Sequence, residues 1–244
     1  MPMIQNEYGK IISIEQAISY ITDGCSLMVG GFGGVGSPPS LLQAIIEKGV
    51  GGLTLICNDT AFPHLGVGPL ICEGRVKKAI VSHIGSNPVA GQRMRDGALD
   101  VEFCPQGVLV ERIRAGGAGL GGILVDIGVD HEWFAAGKQV IEVNGKRFLL
   151  ELPLTADVSI VYAKKADPFG NLIYDKSARN TNPLVAMAGT ITIAEVEEIV
   201  PLGALDPEAI VTPGVFVHYI VQSNGVNWKW IWEENESPNG QHKN

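Results

Sequence analysis

Seven consecutive positions, Gly30-Gly31-Phe32-Gly33-Gly34-Val35-Gly36, hold five glycines. They follow the apolar run Ser26-Leu27-Met28-Val29 and precede a helical pattern. Glycine tolerates positive φ and lets a ligand touch the backbone, and free N–H groups at a helix start favour anions. A turn alone seldom needs so many glycines, so this loop is expected to meet a ligand. A second run, Gly116-Gly117-Ala118-Gly119-Leu120-Gly121-Gly122, follows a helix-like stretch over 108–114. Two side-chain amides belong to the same inventory: Gln106, in Pro105-Gln106-Gly107, and Asn58. Each lies at the carboxyl end of an expected strand, where open α/β sheets place their ligands. An amide there can donate to a carbonyl or carboxylate. Gln106 can equally cap the helix that follows it.

Other chemistries find less support. Gly31, Gly33 and Gly36 satisfy the dinucleotide pattern G-x-G-x-x-G, and Asp59 lies 23 residues past Gly36. In that motif, however, the helix begins inside the fingerprint so that its N-terminus meets the pyrophosphate. Here Pro38-Pro39 push the helix start beyond the last glycine. No Lys-Ser or Lys-Thr follows the glycines, so a nucleotide-phosphate loop is absent. His64, His83, His131, His218 and His242 show no metal spacing, and no G-x-S-x-G elbow occurs. Glu47, Glu73 and Glu111 fall on expected helices, where solvated faces and ion pairs are the ordinary explanation. No carboxylate presents itself as a nucleophile, and neither a metal nor a cofactor is expected.

The elements that must carry these residues follow from composition and periodicity. The 244 residues are 45% hydrophobic, enough for a packed core, and 18 basic against 26 acidic residues leave a net charge of −8. Such a charge collects neither nucleic acid nor anionic lipid. The longest uncharged stretch, 24–46, contains six glycines and Pro38-Pro39 and is no membrane span. The start MPMIQNEYGK has no apolar signal region, so a cytoplasmic chain is expected. Cys25, Cys57, Cys72 and Cys104 lack any disulfide or metal spacing and are expected to be buried, reduced thiols.

Strand-length apolar runs alternate with helical patterns, which predicts an α/β fold with a mostly parallel, doubly wound sheet and helices on both faces. Strands are expected at 26–29, 53–57, 79–82, 101–104, 158–161, 190–193 and 215–218. Leu41, Leu42, Ile45 and Ile46 mark a helix with Ser37 as N-cap, Pro38 at its first position and Gly49 as its stop. The runs 139–143 and 146–150 flank Asn144-Gly145, which predicts a β-hairpin insert. One domain over 1–222 is expected, then an extension over 223–244. Within it Trp228, Trp230 and Trp232 would share one face of a strand, serving a subunit interface or, alternatively, the chain's own core, and a loose polar tail follows.

The motifs match a known family. Asp23-Gly24, Leu27-Met28-Val29, Gly30-Gly31-Phe32, Gly36 and Pro38 together resemble the signature of the α (A) subunit of family I CoA-transferases. The resemblance continues in Asn58-Asp59-Thr60-Ala61-Phe62, Ser82-His83-Ile84-Gly85, Pro105-Gln106-Gly107, Ile113-Arg114-Ala115-Gly116-Gly117-Ala118-Gly119, Gly170-Asn171-Leu172, Ala178-Arg179-Asn180 and Thr212-Pro213-Gly214. It spans roughly residues 10 to 221 and is strongest to subunits of the short-chain 3-oxoacid type. Similar subunits usually stop soon after the segment matching 215–221, whereas this chain continues through Asn227-Trp228-Lys229-Trp230-Ile231-Trp232.

The resemblance implies a CoA-transferase fold and a β (B) subunit partner whose glutamate attacks the acyl-CoA carbonyl. An acyl-glutamyl anhydride and then a glutamyl-CoA thioester would form there, and a short-chain carboxylic acid would take the CoA. One thioester is exchanged for another, so neither ATP nor metal is required. The residues matching Asn58 and Gln106 would face that glutamate and the acyl group. Gly30, Gly31, Phe32, Gly33, Gly34, Val35, Gly36, Gly116 and Gly117 would border the substrate. A ligand-sensing module of the same broad fold and a dinucleotide-binding protein are the competing functions, because fold alone does not fix function.

Overall fold

The apolar runs pair edge to edge in the computed structural model of the chain, which describes residues 5–229. The first half alternates regularly: α1 (Ile14–Ser19), β1 (Ser26–Val29), α2 (Pro39–Lys48), β2 (Leu53–Ile56), α3 (Gly68–Cys72), β3 (Val76–Val81), α4 (Pro88–Arg95), β4 (Asp100–Phe103) and α5 (Gln106–Gly117). An insert then contributes β5 (Ile123–Val125), α6 (Glu132–Ala135), β6 (Val140–Val143) and β7 (Lys146–Glu151). The chain returns through β8 (Ala156–Ala166), β9 (Leu172–Ile173), α7 (Asn182–Ala188), β10 (Gly189–Ile199) and β11 (Tyr219–Gln222).

The main sheet has the order β11-β10-β8-β1-β2-β3-β4, with short β9 antiparallel to β8. Every pairing along the main order is parallel. Leu27 is registered with Leu55 on one side and Val158 on the other. Strands are added outward from β1 to β4, and the chain then restarts on β1's other flank. The order therefore reverses at the β1/β8 boundary, where a crevice opens at the strands' carboxyl ends. Both faces are covered, which is why the inner strands read as unbroken apolar runs. Leu27 and Val29 point into a core shared with α1, α2 and α3, while Met28 packs with α5 and α7 on the opposite face.

The Asn144-Gly145 signal gives the hairpin expected. Both residues have positive φ, 51° and 74°, as a type I′ turn requires. The insert is larger than a hairpin, since β5 pairs antiparallel with β7 and makes a separate three-stranded sheet in the order β5-β7-β6. Arg112 on α5 ties the insert to the main sheet, donating to the Leu152 carbonyl at 2.8 Å and to Glu102 on β4 at 3.0 Å.

Several expectations are corrected. The N-cap of α2 is Pro38, not Ser37, and Pro39 is the first helical residue. Its open N–H groups are satisfied from across the chain: Glu195 accepts from the Ser40 and Leu41 amides at 3.1 and 2.9 Å and from the Ser40 hydroxyl at 2.7 Å. Gly49 does end the helix, in the left-handed region at φ 81°. Residues 215–218 are not a strand. Pro213 leads into a 3₁₀ turn at Gly214–Phe216, Val215 is exposed, and the strand begins at Tyr219. Cys57 and Cys104 are buried, but Cys25 and Cys72 are only half-buried, and all four are free. Trp228 lies outside any strand and is buried in this chain's own core against Tyr162 and Ala178. Trp230, Trp232 and the polar tail lie outside the described residues. Among the described residues no helix is long and apolar enough to cross a membrane.

Gly116 and Gly117 form the last turn of α5 and not a loop. A Cβ on Gly116 would lie 2.0 Å from the Leu154 carbonyl oxygen, and one on Gly117 would lie 2.6 Å from the Met187 Cβ on α7. Alanine in a helix gains about 1 kcal/mol over glycine. Overpacking against backbone costs about 1–3 kcal/mol, and the Leu154 carbonyl has no rotamer by which to yield. Gly116→Ala is therefore expected to lower stability despite its better propensity, read as a lower urea midpoint with unchanged slope.

Candidate active site

The loop after β1 is a miniature hairpin. Phe32 and Val35 exchange both backbone hydrogen bonds at 3.0 Å, and Gly33 and Gly34 make the turn with φ 58° and 94°. Four of the five glycines are required by protein packing. An added Cβ would fall 1.8 Å from Asn182 Oδ1 at Gly30, 2.3 Å from Ser37 Oγ at Gly31, 2.6 Å from Leu65 at Gly34 and 2.4 Å from the Ala178 carbonyl oxygen at Gly36. Only at Gly33 would it enter open space, with nothing within 4 Å. Backbone approach by a ligand is thus confined to the tip, beside the exposed Phe32 ring. Phe32 and Val35 also border a cleft of about 550 Å³ walled by Lys176, Ser177, Arg179 and Asn180.

Asn58 and Asp59 continue from the end of β2, beside this hairpin. Asp59 is buried and accepts from the Gly33 amide at 2.8 Å, from the Asn58 side chain at 2.8 Å and from the Ala61 amide at 2.7 Å. The last bond makes an Asx-type turn that holds Ala61 at its positive φ of 50°. Asp59 therefore fixes both the hairpin tip and the rotation of the Asn58 amide. One Asn58 N–H is held, while the other N–H remains and Oδ1 is buried with no hydrogen-bond partner among the described residues. Cys57 is sealed beneath, and burial, with the Asp59 charge adding to it, pushes its thiol well above the ordinary value. A neutral, enclosed thiol is no nucleophile.

Asp59 is the residue that sequence reasoning leaves without a role, named only within the disfavoured dinucleotide pattern and the string Asn58-Asp59-Thr60-Ala61-Phe62. Both of its oxygens are occupied by N–H donors of its own chain. The signal available was local: an Asn-Asp pair at a strand end, followed by a turn.

Gln106 opens α5 at the end of β4. The cap of that helix is Pro105 and no side chain caps it, so the capping role considered for Gln106 is not what its amide does. Its side chain is exposed and makes no hydrogen bond among the described residues. β2 and β4 are two strand spacings apart, about 10 Å at the usual separation. Gln106 and Asn58 thus share one edge of the sheet without touching, with Ser82 at the end of β3 between them; its hydroxyl donates to the Asn58 backbone carbonyl at 2.7 Å. Gly116 and Gly117, at the far end of α5, belong to helix packing. The arrangement offers polar donors and an exposed glycine backbone along one rim, suited to orienting a carbonyl or carboxylate.

Comparison with known proteins bears on what that rim serves. Residues 11–223 match the family Coenzyme A transferase. The chain is 60% identical over 226 residues to a probable coenzyme A transferase subunit alpha of Bacillus subtilis (strain 168), covering 93% of this chain and 99% of that one. It is 50% identical over 214 residues to the acetate CoA-transferase subunit alpha of Escherichia coli (strain K12), covering 88% and 97%. Among solved structures, an acyl-CoA transferase of E. coli O157:H7 in a thioester complex with CoA superimposes with a TM-score of 0.80 at 25% identity. The match takes in 88% of this chain and 48% of that one, so the chain spans about half its length. The dinucleotide and sensor alternatives give way to this result, and the chain belongs to the family I CoA-transferases, as an α subunit.

Proposed function

We propose that the chain is the α half of a heteromeric enzyme that moves CoA between a short-chain acyl-CoA, such as acetoacetyl-CoA or butyryl-CoA, and a carboxylic acid such as acetate. The reaction proceeds by a ping-pong route through a glutamyl-CoA thioester on a β-type partner. One observation carries the division of labour. Asp59, the carboxylate beside the rim amides, is buried and accepts three N–H bonds across its two oxygens, which commits it to holding the rim and argues against it as the nucleophile. The nucleophile then comes from the partner, and this chain supplies donors. A carboxylate is a weak nucleophile in water, so it must be desolvated, oriented and met by donors for the tetrahedral oxyanion. Asn58 and Gln106 fill that role, Asn58 with its free N–H and Gln106 with an amide that has no competing bond. The relative named for acetate supports the acid class. The test is acetoacetyl-CoA consumption with acetate, measured for this chain, for the β-type partner and for their mixture. Turnover is expected from the mixture only.

Gly33 gives a second check on the same rim. A Cβ there meets no atom of the described residues within 4 Å, so its effects are backbone strain, about 1–2 kcal/mol in the left-handed region, and occupation of the space at the hairpin tip. Gly33→Val is expected to leave the circular dichroism spectrum intact and to depress kcat/KM of the mixture far more than its melting temperature. Wild-type kcat/KM in a folded Gly33→Val complex would remove the tip from the substrate's path.

A further inference from the structure

We infer that Trp228 is a positioning residue for the glycine hairpin. It is held there by a strap, residues 223–229, all but the first of which lie beyond the family-matched 11–223. The hairpin's return limb exposes three consecutive backbone carbonyls, and each accepts from a different side chain. Val35 accepts from Asn180 at 2.9 Å, Gly36 from Asn182 at 2.9 Å and Ser37 from the Trp228 indole N–H at 3.2 Å. The first two donors precede α7 or open it, inside the family core. The third comes from the strap.

The indole is itself well fixed. It is 5% exposed and meets the Tyr162 ring edge to face, with centroids 5.2 Å apart. Val35 and Leu65 pack against the same cluster, and Leu65 is the side chain that leaves Gly34 no room for a Cβ. The Tyr162 hydroxyl is in turn bonded to Glu197. Ser37, whose carbonyl Trp228 holds, places its own Oγ where a Cβ on Gly31 would fall. Trp228 therefore braces the hairpin at Gly31, Gly34 and Val35 without reaching the open tip at Gly33.

The strap is secured at its other end to the start of α2. Ser223 donates its hydroxyl to Glu195 at 2.6 Å, and the Asn224 amide donates to Ser40 Oγ at 3.0 Å. Glu195 is the carboxylate that receives the α2 N–H groups, so one buried acid binds both the helix behind the hairpin and the strap above it. Burial raises the Glu195 carboxyl, against the pull of these donors. The hairpin tip reaches the rim through the Gly33 amide on Asp59, so a shift at Val35 or Ser37 reaches the Asn58 amide through two hydrogen bonds.

The inference rests on the proposed function for its kinetic arm only. With the α chain in complex with the β-type partner, Trp228→Ala is expected to lower kcat by about 10- to 10²-fold, as a small misplacement of orienting groups does, with KM for acyl-CoA changed less than about 3-fold. Hydrogen exchange on the α chain is the second arm: the Phe32 and Val35 amides should exchange at least about 10-fold faster while the β1 amides of Leu27 and Met28 keep their protection. Trp228→Phe keeps the ring on Tyr162 and loses the N–H; it should fall between wild type and Ala in both readouts, and it carries the test if the Ala variant fails to fold. Wild-type kcat and exchange in Trp228→Ala, wild-type behaviour in Trp228→Phe, or faster exchange spread equally over β1 would each overturn the inference. If the wild-type complex shows no transferase activity, the proposed function fails and the exchange arm still decides the role of Trp228.

Discussion

Gln106→Ala in the mixture of the two subunits is expected to lower kcat on the order of 10²-fold, the loss seen when one oxyanion donor is removed, with KM for acyl-CoA nearly unchanged. The proposed role gives the split: an amide that acts on the reacting carboxyl and not on the nucleotide portion makes a bond that strengthens in the transition state. The site makes this variant unusually interpretable. Gln106 is exposed, Pro105 caps α5, and among the described residues the side-chain amide has no partner whose loss would destabilise the fold. Alanine also has the better helix propensity. A kcat loss with an unchanged melting temperature then reports chemistry alone, whereas wild-type kcat would remove Gln106 from the reacting centre. Asn58→Ala would be less clean, because it takes a donor from buried Asp59 and adds a stability loss of about 1–3 kcal/mol to any kinetic effect.

How far the sequence carries can be judged at particular residues. β1 and β2 are readable because interior parallel strands must be apolar on both faces, and Asn144-Gly145 is readable because a type I′ turn selects those two residue types. The 215–218 run misleads because β-branched and aromatic content marks a strand only where burial accompanies it, and Val215 faces solvent. The α2 cap misleads because its acceptor, Glu195, lies 155 residues away from Ser40 in the chain. No local pattern encodes such a contact. The two glycine runs look alike in sequence and differ in function of the backbone: one is a hairpin whose tip alone is open, while the other begins as a helix end, with Gly116 and Gly117 packed on Leu154 and Met187. Glycine marks close approach, and sequence cannot say whether the approaching atom belongs to a ligand or to the protein.

The largest effect concerns where the CoA goes. After incubation of the mixture with acyl-CoA and no acceptor acid, intact mass measurement is expected to show a CoA adduct on the β-type partner and none on this chain. Alone, this chain should turn over acetoacetyl-CoA at no more than about 10⁻⁴ of the mixture's rate, because deleting a covalent nucleophile costs on the order of 10⁶-fold while the remaining donors retain only a small part of the catalysis. The geometry favours the proposed asymmetry. A thioester can be built only on a carboxylate that is free to attack, and along this rim both Asp59 oxygens are engaged, by the Gly33 and Ala61 amides and by Asn58. Releasing Asp59 to attack would unpin the hairpin tip and the Asn58 amide together, dismantling the donors that the transition state needs. Scaffold and nucleophile are therefore incompatible roles for one carboxylate, and an adduct mapped to Asp59 of this chain would show that the rim can open in a way its hydrogen bonds oppose.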